Sequence, residues 1–222
     1  MKIILTGATG FVGTEVLRQA LQDPEIERVV VLGRKSVGTA HPKLHEVVLK
    51  SFLDYAPAAD QLNADACIWC LGVSQTAVSR DEYIEITYGY AVAALEAMLQ
   101  ANPGVRFCFL SGRGAEQEER ASTLYGKIKG RTERELSRLS PNVFNFRPAF
   151  IKPAYPGQKR PFAPTAFLPL AWVVDKFTDD FSVDAATLAR ALLDVAKHGA
   201  QEKIILNRAL RHWTPQGASR AS

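Results

Sequence analysis

The run MKIILTGATGFVG sets three glycines, Gly7, Gly10 and Gly13, at intervals of three between an apolar stretch and an amphipathic one. Met1 to Leu5 is short and rich in Ile and Leu, as a strand buried on both faces of a parallel sheet requires. Val12, Val16, Leu17, Ala20 and Leu21 then recur at helical spacing. The glycines therefore occupy a strand-to-helix turn, with Thr6, Thr9, Phe11 and Val12 around them. Such a turn suits a dinucleotide pyrophosphate, which needs backbone N–H groups aimed at it and no side chain in the way. Glycine permits positive φ and close backbone approach, and the following helix directs its positive end toward the phosphates. The spacing is G-x-x-G-x-x-G rather than the G-x-G-x-x-G of many dehydrogenases.

Alternation continues along the chain. Asp23-Pro24 breaks the first helix, RVVVLGR supplies a second strand and KLHEVVL a third. ADACIWCLG reads as a fourth strand, Asp81 to Gln100 as a long helix, VRFCFLSG as a fifth strand and Ser122 to Arg138 as a helix. PNVFNFRPA forms a sixth strand ending at Pro148; a last helix runs from Val183 to Ala196, and KIILN closes with a short strand. Buried strands alternating with helices predict an α/β, Rossmann-like doubly wound parallel sheet. One domain covering residues 1–222 is expected, with 151–182 as a small, irregular, proline-rich annex over the open end of the sheet.

Composition narrows the function classes. With 222 residues and 47% hydrophobic content, the chain can bury one sizeable core. Lys and Arg exceed Asp and Glu by only 27 to 23 and are scattered, which suits an anionic small molecule and does not argue for nucleic acid. No apolar core of a secretory signal precedes Thr6, so a cytoplasmic protein is the default. PFAPTAFLPLAWVVDKF is broken by prolines and meets Asp175 and Lys176 too soon to span a bilayer; it reads as a flap over a pocket or as a membrane-surface contact. Cys67 and Cys70 form a C-x-x-C within a strand pattern rather than at the helix start a redox pair uses. The four histidines show no metal-ligand spacing.

The end of the second strand selects the cofactor. Leu32-Gly33-Arg34-Lys35-Ser36 carries no carboxylate for the ribose hydroxyls of NAD. Arg34 offers a planar fork of donors to the extra phosphate of NADP, with Lys35 or Ser36 assisting; a solvated surface arginine is the alternative. Asp54, after the third strand, either accepts from the adenine amino group or caps a helix. Leu71, Gly72, Val73 and Ser74, just past the fourth strand, should border the cofactor.

A reaction centre is expected near the fifth strand. Ser111 stands at its carboxyl end, where it can polarise a substrate carbonyl. Tyr125 and Lys129, four residues apart, project from one face of a helix. An unperturbed tyrosine titrates near pH ~10. A neighbouring ammonium and an oxidised nicotinamide would lower it. Lys129 can supply that charge and bond the nicotinamide ribose, while Tyr125 delivers a proton to the carbonyl oxygen as hydride reaches carbon.

This order of elements resembles the short-chain dehydrogenase/reductase superfamily. TGATGFVG, LGR, FLD, CLG, FLSGRGA, LYGKIKG, FRPAF and SVDAATLARALL are similar, more narrowly, to its atypical, Tat-interacting oxidoreductase-like branch, over nearly the whole chain. The resemblance implies an NADP-binding domain with a small annex and maps a Ser-Tyr-Lys triad onto Ser111, Tyr125 and Lys129. It also implies that Arg147 and Pro148 border the nicotinamide. The N-N-A-G element and helix asparagine of many members are absent; Gly72-Val73-Ser74-Gln75 and Thr87-Tyr88 stand there instead.

Three functions compete. The first is an NADP(H)-dependent reductase of a small apolar carbonyl or quinone, with Phe150, Tyr155, Phe162, Phe167, Leu168 and Trp172 lining an apolar pocket or simply packing the annex. The second is a non-catalytic NADPH-binding protein whose occupancy controls a protein partner. Sugar-nucleotide epimerase or dehydratase chemistry ranks last, since it usually needs a larger C-terminal domain. The two long helices can pair with their copies, so a monomer or a homodimer is expected.

Overall fold

Parallel strands buried on both faces must be apolar at every position, and the computed structural model shows how this chain uses that rule. It describes residues 1–118, 120–155, 157–158 and 180–215. Nine strands occur among them: β1 (Lys2–Thr6), β2 (Arg28–Gly33), β3 (Leu44–Val48), β4 (Ala66–Trp69), β5 (Arg106–Leu110), β6 (Val143–Arg147), β7 (Phe150–Lys152), β8 (Ser182–Asp184) and β9 (Ile204–Leu206). Seven form one sheet in the order β3-β2-β1-β4-β5-β6-β9, every pair parallel. The order reverses between β1 and β4, which places a ligand crevice outside their carboxyl ends.

The period of two sorts the strand residues into two cores. Ile3, Leu5, Val29, Val31, Ile68 and Cys108 pack with helices α1 (Phe11–Gln22) and, later in the chain, Ala185–His198. Ile4, Val30, Leu32, Cys67, Trp69, Phe107 and Phe109 pack into the other cluster. That cluster also takes Ala91, Ala94, Leu95 and Met98. The expected Asp81 to Gln100 helix is three consecutive pieces: α2 (Arg80–Ile84), a π turn (Glu85–Gly89) and α3 (Tyr90–Ala101). Ser79 caps α2 by accepting from Glu82 N–H at 3.2 Å. A π turn takes carbonyls out of the α ladder; here the Thr87 carbonyl lies 3.5 Å from Thr132 Oγ1.

Thr132 belongs to α4 (Leu124–Leu139), which starts two residues later than the sequence suggests because Thr123 is its cap, accepting from Gly126 N–H at 3.1 Å. The helix Ala185–His198, α5, is capped by Asp184, which accepts from Thr187 N–H at 2.7 Å. It ends at Gly199, whose φ of +75° suits glycine. A further short helix, α6 (Asn207–Arg211), follows β9.

The annex is not irregular at its described ends. β7 and β8 pair in parallel as a separate two-stranded sheet. Asn207 ties it to the body: its Oδ1 accepts from Ala149 N–H at 2.9 Å and its amide donates to the Ser182 carbonyl at 3.3 Å. Phe162, Phe167, Leu168, Trp172 and the rest of the apolar stretch lie outside the described residues.

Two glycines of α4 decide how closely the β5–α4 loop can lie on that helix. A Cβ at Gly126 would stand 2.5 Å from the Gly114 carbonyl oxygen, and one at Gly130 would overlap the Glu116 carbonyl and stand 2.6 Å from its nitrogen. Gly130→Ala gains about 1 kcal/mol of helix propensity. Backbone overlap costs about 1–3 kcal/mol or more and outweighs it. The expected result is a net loss of stability of roughly 1–2 kcal/mol by urea denaturation.

Candidate active site

The glycine turn begins at the carboxyl end of β1, inside the sheet between β2 and β4. Thr6 is fully buried at the end of β1, and its hydroxyl accepts from Leu71 N–H at 3.3 Å, tying the turn to the segment after β4. Gly7 has φ +68°, and a Cβ there would stand 2.5 Å from the Cys70 carbonyl oxygen. A Cβ at Gly13 would overlap the Gly7 carbonyl oxygen and stand 2.7 Å from its carbon. Gly10 N–H closes the turn on the Gly7 carbonyl at 2.8 Å, and Gly10 caps α1 with no side-chain bond, so no side chain competes for the amides of the first turn. Phe11 is part-exposed, with its carbonyl accepting from Gln158 Nε2 at 2.9 Å, and Val12 is buried in the core.

Beside this turn opens a cleft of about 390 Å³. It brings together Gly7, Thr9, Gly33, Arg34, Lys35 and Leu71, six of the residues singled out in the sequence. Ala8, Val31, Leu32, Val37 and Phe52 complete the wall. Those five carry no polar group that would flag them, although Phe52 sits in the FLD segment. The cradle that added Cβ atoms would fill, together with the open cleft and a cationic rim, fits a dinucleotide. Gly72 and Val73 follow in the loop after β4, Gly72 with open space at its α-carbon. Ser74 shares a 2.8 Å hydrogen bond with Thr76.

The cationic rim is Arg34 and Lys35, both exposed; the Arg34 charge reaches the Tyr90 phenol, which stacks on Phe52 with ring centroids 5.7 Å apart. Ser36 does not turn toward them. Its hydroxyl donates to Glu46 Oε1 at 3.0 Å, while Val37 N–H donates to Oε2 at 2.7 Å. The carboxylate missing from the end of β2 is thus supplied nearby by β3, and it is already bonded. Asp54 is exposed and accepts from Ala56 N–H at 3.0 Å, just ahead of the 3-10 turn Ala56–Gln61, whose cap position is Tyr55.

At the carboxyl end of β5, Ser111 is 6% exposed and its Oγ has no hydrogen-bond partner. A buried hydroxyl left unpaired costs about 1–3 kcal/mol, so Ser111 keeps hydrogen-bonding capacity that its neighbours do not use. One residue on, a Cβ at Gly112 would overlap the Tyr125 hydroxyl and stand 3.0 Å from its Cζ. The Tyr125 hydroxyl therefore lies against the backbone next to Ser111, an approach that only glycine permits. The sequence reading did not single out Gly112 for this.

Electrostatics here correct the expectation. Burial raises the Tyr125 phenol to about 12, with Tyr83 and Glu133 adding to the rise. Lys129 does not turn its ammonium to that phenol; Nζ donates to the Leu110 carbonyl at 2.9 Å and lies 4.6 Å from the centre of the Phe109 ring. Burial pulls Lys129 down to about 8, against Glu133 and the Cys70 thiol, which push it up. Arg147 is paired with Glu133 of α4, Nε to Oε1 at 2.9 Å, and Pro148 is buried with its carbonyl accepting from Arg113 N–H at 2.8 Å. Cys67, Cys70 and Cys108 are free thiols, all raised by burial, as suits core residues rather than a redox pair. Among the described residues no group of His, Cys, Asp or Glu gathers as for a metal, and no helix is long and apolar enough to cross a membrane.

Comparison with known proteins agrees with this geometry. The model of the NAD dependent epimerase/dehydratase family matches residues 3–140. Protein HTATIP2 of Rattus norvegicus is 25% identical over 223 residues, covering 95% of this chain and 88% of that protein. Leucinostatins biosynthesis cluster protein T of Purpureocillium lilacinum is 32% identical over 146 residues, 63% of this chain and 52% of that protein. Among solved structures, MoeE5 in complex with UDP-glucose and NAD superposes with a TM-score of 0.69 at 18% identity, over 93% of this chain and 75% of its own, a likeness of fold.

Lys129 carries a pH signature. Its folded value of about 8 lies below the ordinary 10.5, so the unfolded chain binds more protons between those values and the lysine costs stability below pH 8. That cost is on the order of 3 kcal/mol, less about 1 kcal/mol for the bond to Leu110. Lys129→Met is expected to raise unfolding stability at pH 7 by roughly 2 kcal/mol. The difference from the parent should shrink as pH rises from 8 to 10.5, as denaturant titration at several pH values would show.

Proposed function

The chain belongs to the NAD dependent epimerase/dehydratase family, as an atypical short-chain dehydrogenase/reductase, and on that footing we propose that it is an NADP(H)-dependent oxidoreductase acting on a small apolar carbonyl or quinone. The observation that supports this reading is the Tyr125 hydroxyl lying against Gly112, the residue after the buried, unpartnered Ser111 at the carboxyl end of β5, with Lys129 bonded to the Leu110 carbonyl one residue before Ser111.

Each residue takes a distinct part. The uncapped turn of Gly7, Gly10 and Gly13 receives the pyrophosphate, and Thr9, Gly33 and Leu71 wall the adenosine side. Arg34 forks onto the additional ribose phosphate with Lys35 beside it. Asp54, Gly72 and Val73 border the adenine and the nicotinamide approach, and Pro148 shapes the far side. When bound, the cofactor supplies the hydride that reaches the carbonyl carbon. Ser111 donates to the carbonyl oxygen, which acquires negative charge as its π bond breaks. Tyr125 then gives its phenolic proton to that oxygen, and the product is an alcohol, or from a quinone a hydroxydienone that becomes the hydroquinone when its carbon-bound hydrogen passes as a proton to the second oxygen. The Lys129 ammonium, one turn below, bonds the nicotinamide ribose and offsets the tyrosinate charge.

A second reading is favoured by the high Tyr125 value and by the bond that holds Lys129 to Leu110. In it the protein binds NADPH without turnover, and occupancy controls a protein partner. Tyr125→Phe separates the two. Reductase chemistry predicts a loss in NADPH-oxidation rate of about 10²–10⁴-fold; an unchanged rate across active substrates overturns Tyr125 as proton donor. Calorimetric titration tests the cofactor itself: Arg34→Ala should weaken NADPH by about ten- to a hundred-fold and leave NADH almost unchanged. Equal loss for both cofactors would refute the phosphate role of Arg34.

A further inference from the structure

Glu133 stands one helical turn beyond Lys129 and two beyond Tyr125, on the same face of α4. It is fully buried. Arg147 of β6 grips it with Nε 2.9 Å from Oε1, a second guanidinium nitrogen meets Oε2, and Gln117 Nε2 donates to Oε2 at 3.2 Å. A carboxylate that merely fastened α4 to β6 is hard to rationalise, because apolar residues of similar volume hold two elements together as well without the desolvation of two ions. The charge has another neighbour. Lys129 Nζ faces the Leu110 carbonyl and the Phe109 ring from β5; the Cys70 thiol after β4 and the Glu133 carboxylate of its own helix act on its charge, and the Arg147 guanidinium of β6 stands behind that carboxylate. From α2 and the π turn, the Tyr83 phenol acts on Tyr125 and the Thr87 carbonyl lies 3.5 Å from Thr132 Oγ1.

We propose that Glu133, locked in place by Arg147 and Gln117, is a positioning residue of the reaction centre whose carboxylate keeps the buried Lys129 an ammonium and so able to bind the cofactor ribose. The role for Lys129 rests on the oxidoreductase reading above. The charge of Lys129 does not. Burial alone would drive the lysine toward the neutral amine at pH 7, and Glu133 is the anionic group that opposes it. The same carboxylate opposes ionisation of Tyr125, so it holds both members of the pair protonated before reaction. The Arg147 and Gln117 bonds stop the carboxylate from swinging away from the lysine.

The test is the titration of Lys129 Nζ by heteronuclear NMR in the cofactor-free full chain, with Lys129→Met to assign the signal. In Glu133→Gln the midpoint should fall by about one pH unit or more, since loss of a neighbouring opposite charge shifts a titration by about one to three. NADPH affinity should then be lost at a correspondingly lower pH than in the parent. If Glu133→Gln does not fold, Glu133→Asp keeps the charge but retracts it, and a smaller downward shift is expected. A folded variant whose Lys129 midpoint stays at the parent value overturns the proposal, because a purely structural tie would leave that midpoint alone. Should the parent bind no NADPH while the midpoint still falls in Glu133→Gln, the oxidoreductase reading fails and the assignment of Glu133 to the lysine charge stands.

Discussion

The ligand-facing end of the sheet depends on a stack of bare backbone: Gly7 in the left-handed region against the Cys70 carbonyl, and Gly13 over the carbonyl of Gly7. No side chain intervenes, so α1 starts directly on β1 and sinks Val12, Val16, Leu17 and Ala20 into the core. Each buried valine or leucine contributes about 1.5–3 kcal/mol, and all of them depend on that approach. The same closeness leaves the first-turn amides without a side-chain cap. A packing requirement and the proposed phosphate cradle would thereby be met by one set of atoms.

A second close approach governs the other half of the site. Gly126 and Gly130 let the loop after β5 lie on α4, where Glu116 N–H donates to the Gly126 carbonyl at 3.1 Å. That loop starts with Ser111 and Gly112, so the position of Tyr125 relative to Ser111 is set by backbone rather than by flexible side chains. The Glu133–Arg147 pair anchors the middle of α4 to β6, while Thr132 reaches the π turn. The helix is held at three points around Lys129, which explains how an ammonium can be kept in a dry place with a fixed carbonyl partner.

Much of this was readable beforehand because both-sided burial writes itself as unbroken apolar runs: ACIW, RVVVLG and RFCFL lie where their composition puts them. The glycine turn and the Tyr125–Lys129 ladder followed from spacing. What composition could not reveal were features made by distant partners. β7 and β8 are three residues each, too short for a period, and exist because Asn207 and each other supply their bonds. The direction of the Tyr125 shift depends on how much water the fold excludes, which no spacing encodes. The expectation that Lys129 would lower it considered charge without desolvation. Glu133 was visible four residues after Lys129, but its pairing with Arg147, fourteen residues further on, needed the α4–β6 packing to be known.

The layer that covers α1 has a consequence for how the protein is made. α5 places Leu188, Ala189 and Leu192, all fully buried, in the same cluster as α1 and the first two strands, and β9 completes the far edge of the sheet. During synthesis α1 therefore emerges well before the helix that covers it. Until residues 185–196 clear the ribosome, the apolar stripe of α1 and one face of β4 and β5 lack their lid. At about 5–20 residues per second, the gap between helix and lid lasts roughly ten to thirty seconds. Over that interval the nascent chain exposes the kind of surface that holdase chaperones bind.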